Sequence, residues 1–332
     1  MSRPFRLGTR RSALATAQSQ QVADTLAAVA GRPVELVPIV SEGDVSRASL
    51  SQIGGTGVFA TRLREALLAG ECDLLVHSLK DLPTTQPPGL VIAAIPVRED
   101  ARDVVVTRDG APLHALPAGA RVGTGSPRRR AQVIRRNPGV DVHDLRGNVD
   151  SRLQRVRDGQ LDAVVLAAAG LSRIGLDLGD LGLEPLGLAS WPTAPGQGAL
   201  AIETLADGPA DLMAALARID HLDTRVAVTA ERTVLAALEA GCHAPVGAHA
   251  ELAGGSLRLN AVVYALDGSR RIACDRADPL PQEYGGTTGS GDGADAADDA
   301  SPIAYAVRAG SETARRLLEG GAAGLVPRES TP

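Results

Sequence analysis

The sequence predicts an α/β protein made of two similar α/β units and a small α+β domain near its C-terminal end. Short β-rich runs alternate with helical runs over the first two thirds of the chain, which is the pattern of a parallel α/β sheet. The alternation restarts near Asp103, and a later β-rich segment lies between two helical runs. A chain of 332 residues, 44% of them hydrophobic, is long enough for two or three buried cores.

The elements of the first unit are predicted in chain order, and those of the second repeat the same alternation. The first unit has strands FRLGT (5–9), VELVPIV (34–40) and DLLVHS (73–78), and helices over 12–30 and 58–69. The second has strands DVVVT (103–107), RVGTG (121–125), VDVHDL (140–145) and LDAVVLA (161–167), and helices over 127–136 and 149–157.

Two proline- and glycine-containing segments are predicted to connect the units. They are IPVRED (95–100), the first crossing, and SWPTAPGQG (190–198), the second crossing. The strand GALAIE follows the second crossing and is expected to return to the first sheet. The predicted domains are therefore residues 1–96 with 199–217, residues 100–192, and residues 221–332.

The third domain begins with a helix over 223–240, where Val226, Ala230, Val234 and Leu238 share one face and Gly241 can end the helix. Three β-rich runs follow, and a last helix covers 303–318. Residues 285–300, GGTTGSGDGADAADDA, have almost nothing to bury and are predicted to form a disordered insert.

Composition excludes several classes of protein. A net charge of -5 argues against a general nucleic-acid binder. The N-terminal twenty residues do not resemble a signal peptide, and no apolar run reaches about 18 residues, so we expect a soluble, cytoplasmic protein without membrane association. The widely spaced Cys72, Cys242 and Cys274 favour neither a disulfide framework nor a metal site.

Arginines cluster at three predicted strand-to-helix junctions. The predicted helix caps are Ser12, Ser126 and Asn148, with Pro127 at a first helical position; the arginines beside them are Arg10, Arg11, Arg128, Arg129, Arg130, Arg146 and Arg152. A helix start carries roughly +0.5 charge, so cations there cost up to about 1 kcal/mol unless an anion is nearby.

These junctions therefore predict a bound polyanion. Open α/β sheets bind ligands beyond the carboxyl ends of their strands, and arginine binds carboxylates in a bidentate manner. Several separated arginine sites favour a ligand with many carboxylates over a nucleotide, since no P-loop sequence is present. The alternative is that the arginines are solvated or form salt bridges to Asp141, Asp144 and Asp150.

The stretch VHSLKDLP (76–83) ends the third strand and contains Lys80, the only lysine of the chain. Lys80 can bind a ligand carboxylate, and Asp81 can stabilise a developing cation. Opposite charges about 4 Å apart interact by roughly 4 kcal/mol at an effective dielectric near 20. The alternative is a turn-capping Asp81 and a solvated Lys80. His77 is more typical of a satisfied core residue than of a base.

Cys242 lies in EAGCHAP, just beyond a predicted helix end. The C-terminal end of a helix disfavours a thiolate, so the helix dipole does not activate this cysteine. Covalent attachment of a group is a better prediction for Cys242 than redox catalysis. The alternative is an inert thiol, which is the more common state of a lone cysteine.

The order of these motifs resembles the porphobilinogen deaminase (hydroxymethylbilane synthase) family. The resemblance covers residues 7 to about 266 through GTRRSALA, VHSLKDLP, GTGSPRRR, LRGNVDSRL, LAAAGLSR, PGQGAL and TAERTVLAALEAGCHAP. It implies two doubly wound lobes resembling type II periplasmic binding proteins, with the active site between them, a small α+β C-terminal domain, and a monomer.

The resemblance also implies the chemistry. Cys242 would hold a dipyrromethane cofactor, built from two substrate molecules, through a thioether to an electrophilic azafulvene that forms as porphobilinogen loses ammonia. Four further porphobilinogens would be added head to tail to an elongating polypyrrole, and hydrolysis would release hydroxymethylbilane.

The implied residue roles follow the matching motifs. Asp81 is the implied catalytic carboxylate. The implied ligands of the cofactor carboxylates are Lys80, Ser126, Arg128 and Arg129, and the implied substrate-side contacts are Arg10, Ser12, Arg146, Arg152, Arg173 and Phe59. Gln52 and Thr56 depart from the family, where many members have lysines in a loop over the cleft, and the 285–300 insert has no family counterpart.

Two other classes of function fit part of the sequence. A two-lobed anion-binding receptor would explain the arginines but not Asp81 and Cys242. An RNA-binding protein would explain the RRR and RR runs, but aromatic residues, which form stacking platforms, are only 2% of the chain.

Overall fold

A computed structural model describes residues 3–39, 58–240, 244–281, 284 and 301–325, and for Val58 and Phe59 the backbone only. The sheets divide these residues into two five-stranded α/β lobes and a third, three-stranded unit. Among the helices described, none combines the length and the apolar character needed to cross a membrane.

The first sheet has the strand order β2-β1-β3-β10-β4. Its strands are β1 (Phe5–Thr9), β2 (Val34–Pro38), β3 (Leu74–Ser78), β4 (Leu90–Ala94) and β10 (Leu200–Leu205). The helices that pack on it are α1 (Ala13–Ala30), α2 (Val58–Leu68) and α6 (Ala210–Ile219). Strand β1 is parallel to β2 and β3, whereas β10 is antiparallel to β3 and β4.

The second sheet has the strand order β7-β6-β8-β5-β9. Its strands are β5 (Asp103–Thr107), β6 (Arg121–Gly123), β7 (Asp141–His143), β8 (Ala163–Ala167) and β9 (Gly182–Pro185). The helices of this lobe are α3 (Pro127–Arg136), α4 (Val149–Arg157) and α5 (Ala168–Ile174). Strand β6 is parallel to β7 and β8, whereas β5 is antiparallel to β8 and β9.

The two sheets share one topology, in which the strand that follows a crossing takes the fourth place. The predicted return of GALAIE to the first sheet is confirmed, because β10 pairs with β3. The alternation predicted a parallel α/β sheet, and the structure refines this, because each sheet is mixed and contains both parallel and antiparallel pairs. Leu200 pairs with Ser78 and Asp103 with Ala167, so each crossing strand starts beside the carboxyl end of its neighbour and must run in the opposite direction. Both crossings therefore lie at the edge where the strand-to-helix junctions are.

The third unit is an antiparallel sheet in the order β11-β12-β13, covered by two helices. The strands are β11 (Val246–Ala253), β12 (Ser256–Tyr264) and β13 (Arg271–Pro279); the helices are α7 (Leu222–Ala237) and α8 (Pro302–Glu319). Val226, Ala230 and Val234 are fully buried in its core, as the periodicity of α7 predicts. Gly241 and the 285–300 insert lie outside the described residues.

Candidate active site

The three junction helices begin at the predicted caps. Ser12, Ser126 and Asn148 each accept a hydrogen bond from the backbone amide three residues later, at 3.3, 3.4 and 2.8 Å. These caps satisfy helix-start amides that would otherwise lack partners. All three junctions follow parallel strands of the two sheets, so their side chains face the edge that the crossings also reach.

Two of the predicted cofactor arginines are buried against one carboxylate. Arg128 and Arg129 are only 3% and 7% exposed. Arg128 Nη1 lies 2.9 Å from Asp103 Oδ2, and Arg129 Nη2 lies 2.6 Å from Asp103 Oδ1. Asp103 is the first residue of β5, which the first crossing leads into.

Two neutral donors complete the contacts of Asp103. Trp191 Nε1 donates to Oδ2 at 2.9 Å, and Gln197 Nε2 donates to Oδ1 at 2.8 Å. Burial acts to raise the pKa of Asp103, but the charges of Arg128 and Arg129 outweigh it and hold the pKa far below its usual range. Asp103 is therefore ionised at any working pH.

The arginines retain unused hydrogen-bonding capacity. The Nε atoms of Arg128, Arg129 and Arg173 are buried, and no hydrogen-bond acceptor for them lies in the described part of the chain. A buried donor without an acceptor costs about 1–3 kcal/mol. The two guanidinium groups carry two positive charges, and Asp103 supplies only one negative charge. The site therefore favours binding of a further anion.

Lys80 and Arg129 come together across the two lobes at Gln197. Lys80 Nζ lies 3.3 Å and Arg129 Nη2 lies 3.4 Å from Gln197 Oε1, and Gln197 belongs to the second crossing. Burial lowers the pKa of Lys80 to about 8; the charges of Asp81 and Asp103 oppose this shift, while Arg129 and Arg128 add to it. Lys80 is therefore a half-buried cation beside other cations, not the solvated group of the alternative interpretation.

Asp81 ends the short 3-10 turn Leu79–Asp81 that follows β3. Its side chain is exposed, and within the described residues its carboxylate accepts no hydrogen bond. Its charge acts on Lys80 of the same lobe and on Arg152 of the other. Asp81 is thus an open carboxylate between cations from both lobes.

Arg152 of the second lobe lies within reach of the charge of this carboxylate, and Arg146 is close enough to act on Arg152. Arg152 Nε donates to the carbonyl of Gly147 at 2.8 Å. Burial lowers the pKa of Arg152, and the charges of Arg129 and Arg146 lower it further. Arg146 Nε lies 3.4 Å from Asp144 Oδ2, so the salt-bridge alternative holds for this arginine, although both side chains are well exposed.

The remaining predicted residues are placed differently. Arg173 Nη2 donates to the carbonyl of Gly198 at 2.7 Å, beside the second crossing. Arg10 is half-buried between β1 and α1, and Phe59 lies in the first turn of α2. The side chain of Phe59, and the whole of Cys242, Gln52 and Thr56, lie outside the described residues.

Two residues of this site were not predicted from the sequence, Asp103 and Gln197. For Asp103 the available signal was a charged residue placed directly before three valines in the strand DVVVT, all five residues of which are buried. His77, in contrast, has the structural role that was expected. Its Nε2 lies 3.1 Å from the buried carboxylate of Glu203.

The fold and the site together define a two-lobed α/β protein with a positively charged site, suited to binding an anion, where the lobes meet. Comparison with known families is more specific. Residues 5–212 match the model of the porphobilinogen deaminase dipyromethane cofactor binding domain, and residues 225–283 match that of the porphobilinogen deaminase C-terminal domain.

Curated relatives agree with these matches. A porphobilinogen deaminase of Leifsonia xyli subsp. xyli is 51% identical over 327 residues, covering 97% of this chain and 94% of the relative. Porphobilinogen deaminase 1 of Streptomyces coelicolor is 53% identical over 331 residues, covering 97% of each chain. Among solved structures, a periplasmic substrate-binding protein of an ABC transporter from Coxiella burnetii aligns with a TM-score of 0.42 at 14% identity, covering 65% of this chain and 91% of that one.

The chain belongs to the porphobilinogen deaminase family. Its activity is that of a hydroxymethylbilane synthase, a transferase of tetrapyrrole biosynthesis whose substrate is porphobilinogen and whose cofactor is dipyrromethane.

Proposed function

We propose that the reaction takes place at the open carboxylate of Asp81, with the cofactor held beside it by both lobes. The proposed cofactor ligands are Cys242 through a thioether, and Lys80, Ser126, Arg128 and Arg129 through the acetate and propionate carboxylates. The observation that carries the proposal concerns the carboxylate of Asp81. It is exposed, accepts no hydrogen bond from the described chain, and interacts electrostatically with Lys80 and Arg152.

The basic residues around Asp103 fit a carboxylate-bearing cofactor. The buried Nε atoms of Arg128 and Arg129 lack acceptors within the described residues, and Lys80 sits among cations that depress its pKa. A ligand carboxylate would supply the missing acceptors and the missing negative charge. Each charge-assisted hydrogen bond made in this way contributes about 1.5–3 kcal/mol.

Asp81 is proposed to stabilise positive charge on the substrate. Loss of ammonia from porphobilinogen leaves a cation delocalised over the pyrrole ring. A carboxylate about 4 Å from that cation stabilises it by roughly 4 kcal/mol at an effective dielectric near 20, which corresponds to about three powers of ten in rate. Because no described group donates to Asp81, its oxygens remain available to accept hydrogen bonds from pyrrole N–H groups.

The bound dipyrromethane supplies the pyrrole carbon to which the first substrate unit is joined. In total, this chain adds four porphobilinogen units in this way, and it then catalyses the hydrolysis that releases hydroxymethylbilane. The proposed contacts to the substrate and to the elongating polypyrrole are Arg10, Ser12, Arg146, Arg152, Arg173 and Phe59. For Arg146 this contact would replace the exposed ion pair with Asp144, which costs little to break.

We also propose the domain division and the state of the protein in the cell. The domains are residues 1–96 with 199–217, residues 100–192, and residues 221–332, and the protein acts as a cytoplasmic monomer that engages neither nucleic acid nor a membrane. The division is supported by the two crossings, which separate the strands of the two lobes.

Turnover of an Asp81→Ala variant tests the catalytic proposal. We expect a folded protein that carries the cofactor but releases hydroxymethylbilane at about one thousandth of the wild-type rate or less, since the variant removes the stabilising charge. Asp24→Ala removes an exposed aspartate of α1 that lies outside the candidate site; it is the control and should retain activity. Near-normal turnover of Asp81→Ala would refute the catalytic role.

A further inference from the structure

We infer that Asp103 is a positioning residue of the cofactor site, whose buried carboxylate fixes the directions of the Arg128 and Arg129 guanidinium groups. The inference rests on the proposed function, which makes these arginines cofactor ligands. It assigns a role to a carboxylate that touches neither substrate nor the reacting atoms.

The contacts of Asp103 divide evenly between its two oxygens. Oδ2 accepts from Arg128 at 2.9 Å and from Trp191 at 2.9 Å. Oδ1 accepts from Arg129 at 2.6 Å and from Gln197 at 2.8 Å. Asp103 is 0% exposed, so no water competes for these oxygens, and the carboxylate ties the start of β5 to α3 and to the second crossing.

The arginines also use other acceptors, which hold them in fixed directions. Arg128 Nη1 donates to Gln132 Oε1 at 2.6 Å, and Arg129 Nη1 donates to the carbonyl of Val165 at 3.0 Å. Asp103 is the charged acceptor that they share, and it lets two like charges lie side by side in a buried place. Both Nε atoms are buried and remain without acceptors in the described chain.

The charge of Asp103 also reaches Lys80. The charged groups that face Lys80 are Asp81, Asp103, Arg129 and Arg128, and the amide of Gln197 contacts it directly. Asp103 opposes the lowering of the Lys80 pKa, which is about 8 with Asp103 present. Without Asp103, Lys80 loses its proton at a lower pH and attracts a carboxylate less strongly there.

The test follows attachment of the cofactor to cofactor-free protein. Wild type, Asp103→Asn and the control Asp162→Asn are produced in cells that make no porphobilinogen, then mixed with porphobilinogen at several pH values. Intact mass gives the rate at which each folded protein gains the covalent adduct. Asp162 is a suitable control because it also binds arginine, through Arg121, but its side chain is 30% exposed, whereas Asp103 is fully buried.

We expect Asp162→Asn to attach the cofactor at the wild-type rate and with the wild-type pH dependence. Asp103→Asn should attach the cofactor about tenfold more slowly or worse, because a charge-assisted contact worth about that factor is lost. Its rate relative to the wild type should also fall further as the pH rises toward 8, which a merely structural loss of stability would not produce. Equal rates and equal pH dependence in Asp103→Asn and Asp162→Asn would overturn the inference.

A second variant covers failure of Asp103→Asn to fold. Trp191→Phe removes one donor to Asp103 and keeps the charges. It should slow attachment by about threefold, because Asp103 loses one of its four donors while both arginines remain bound to it, and an unchanged rate would overturn the inference. If the wild type itself gains no adduct, the proposed function fails and the inference fails with it. If the wild type gains the adduct and only Asp103→Asn and Trp191→Phe attach it more slowly, both the proposed function and the inference are supported.

Discussion

Two aspartates of this site show how the surroundings of a residue decide its role. Asp103 is fully buried, and its oxygens accept from Arg128, Arg129, Trp191 and Gln197. Asp81 is exposed and accepts no hydrogen bond from the described chain. A carboxylate whose oxygens are all engaged can orient its partners, while an open carboxylate can respond to charge that develops on a substrate.

The only lysine of the chain gives a prediction about pH. Because the pKa of Lys80 is lowered to about 8 in the cofactor-free fold, its positive charge is lost as the pH rises through that value. We expect cofactor attachment by the wild type to decline above about pH 8 relative to a Lys80→Arg variant, which stays charged. Attachment rates measured by intact mass from pH 7 to pH 10 give this ratio.

The ratio of the two rates removes effects common to both proteins, such as ionisation of the attaching thiol. A ratio that stays constant across this pH range would mean that the charge of Lys80 has no part in binding the cofactor.

At the residue scale, the sequence predicted basic residues that the structure brings together where the lobes meet, but it did not predict Asp103, their acidic partner. Arginines at capped helix starts indicate a nearby anion, so Arg128, Arg129 and Arg152 could be predicted as candidate anion ligands. The role of Asp103 could not, because its partners Trp191 and Gln197 lie about ninety residues away in the chain and are brought to it only by the second crossing.

At the scale of elements, the capped junction helices give a prediction that separates stability from binding. Ser12→Ala removes the cap of α1 and should lower the free energy of unfolding by about 1 kcal/mol. If Ser12 also contacts substrate, KM for porphobilinogen should rise as well. Ser301→Ala is the matched control, since Ser301 caps α8 in the third unit.

Denaturant unfolding and steady-state kinetics of both serine variants make this comparison. We expect similar losses of stability and a raised KM only for Ser12→Ala. A KM unchanged in both variants would confine Ser12 to capping and remove it from the substrate contacts.

Elements with strong local signals were predicted accurately, and weak ones were missed. The bounds of α3 and α4 match the prediction, because a cap begins each helix and periodic apolar residues continue it. Strand β9 (GLEP) is short, lies at a sheet edge, alternates between half-buried and exposed and contains proline, so it carries little strand signal. Helix α5 has only seven residues and no side-chain cap.

At the scale of the whole molecule, one buried carboxylate joins both crossings to the third unit. Glu231 of α7 accepts from Arg98 of the first crossing at 2.6 Å, from the amide of Gly196 in the second crossing at 2.6 Å, and from the amide of Ala250 in β11 at 2.7 Å. Burial acts to raise the pKa of Glu231, but Arg98 and His249 outweigh it and lower the pKa to about 2.

This carboxylate gives a prediction about stability and pH. Its folded pKa lies below the ordinary value of 4.5, so its contribution is present above pH 4.5 and is lost as the pH falls toward about 2. Glu231→Gln should reduce the free energy of unfolding by about 3–5 kcal/mol at neutral pH, since Arg98 is left without its counterion.

Denaturant unfolding at several pH values checks the Glu231 prediction. The difference in free energy of unfolding between wild type and Glu231→Gln should become smaller as the pH falls from 4.5 to about 2. Glu251→Gln, at an exposed position 4.0 Å from Arg258, should change stability by less than about 1 kcal/mol. A Glu231→Gln variant as stable as the Glu251→Gln control would contradict this account of the junction.

The arrangement of two lobes joined by two crossings could be predicted from the alternation of elements and its restart near Asp103. The direction of the crossing strands could not, because the hydrophobic pattern of a buried strand is the same whether its neighbours run parallel or antiparallel. That direction shapes the candidate site, since it brings Gln197 and Asp103 to the edge where Lys80 and Arg129 meet.

The proposed function requires that this chain hold a covalent dipyrromethane through Cys242 and elongate it beside Asp81. The most direct test is the intact mass of the protein and of a Cys242→Ser variant, both purified from cells that make porphobilinogen. We expect an excess mass of two porphobilinogen units less two ammonia molecules on the wild type and none on the variant. An unmodified wild type, or the same excess on Cys242→Ser, would contradict it.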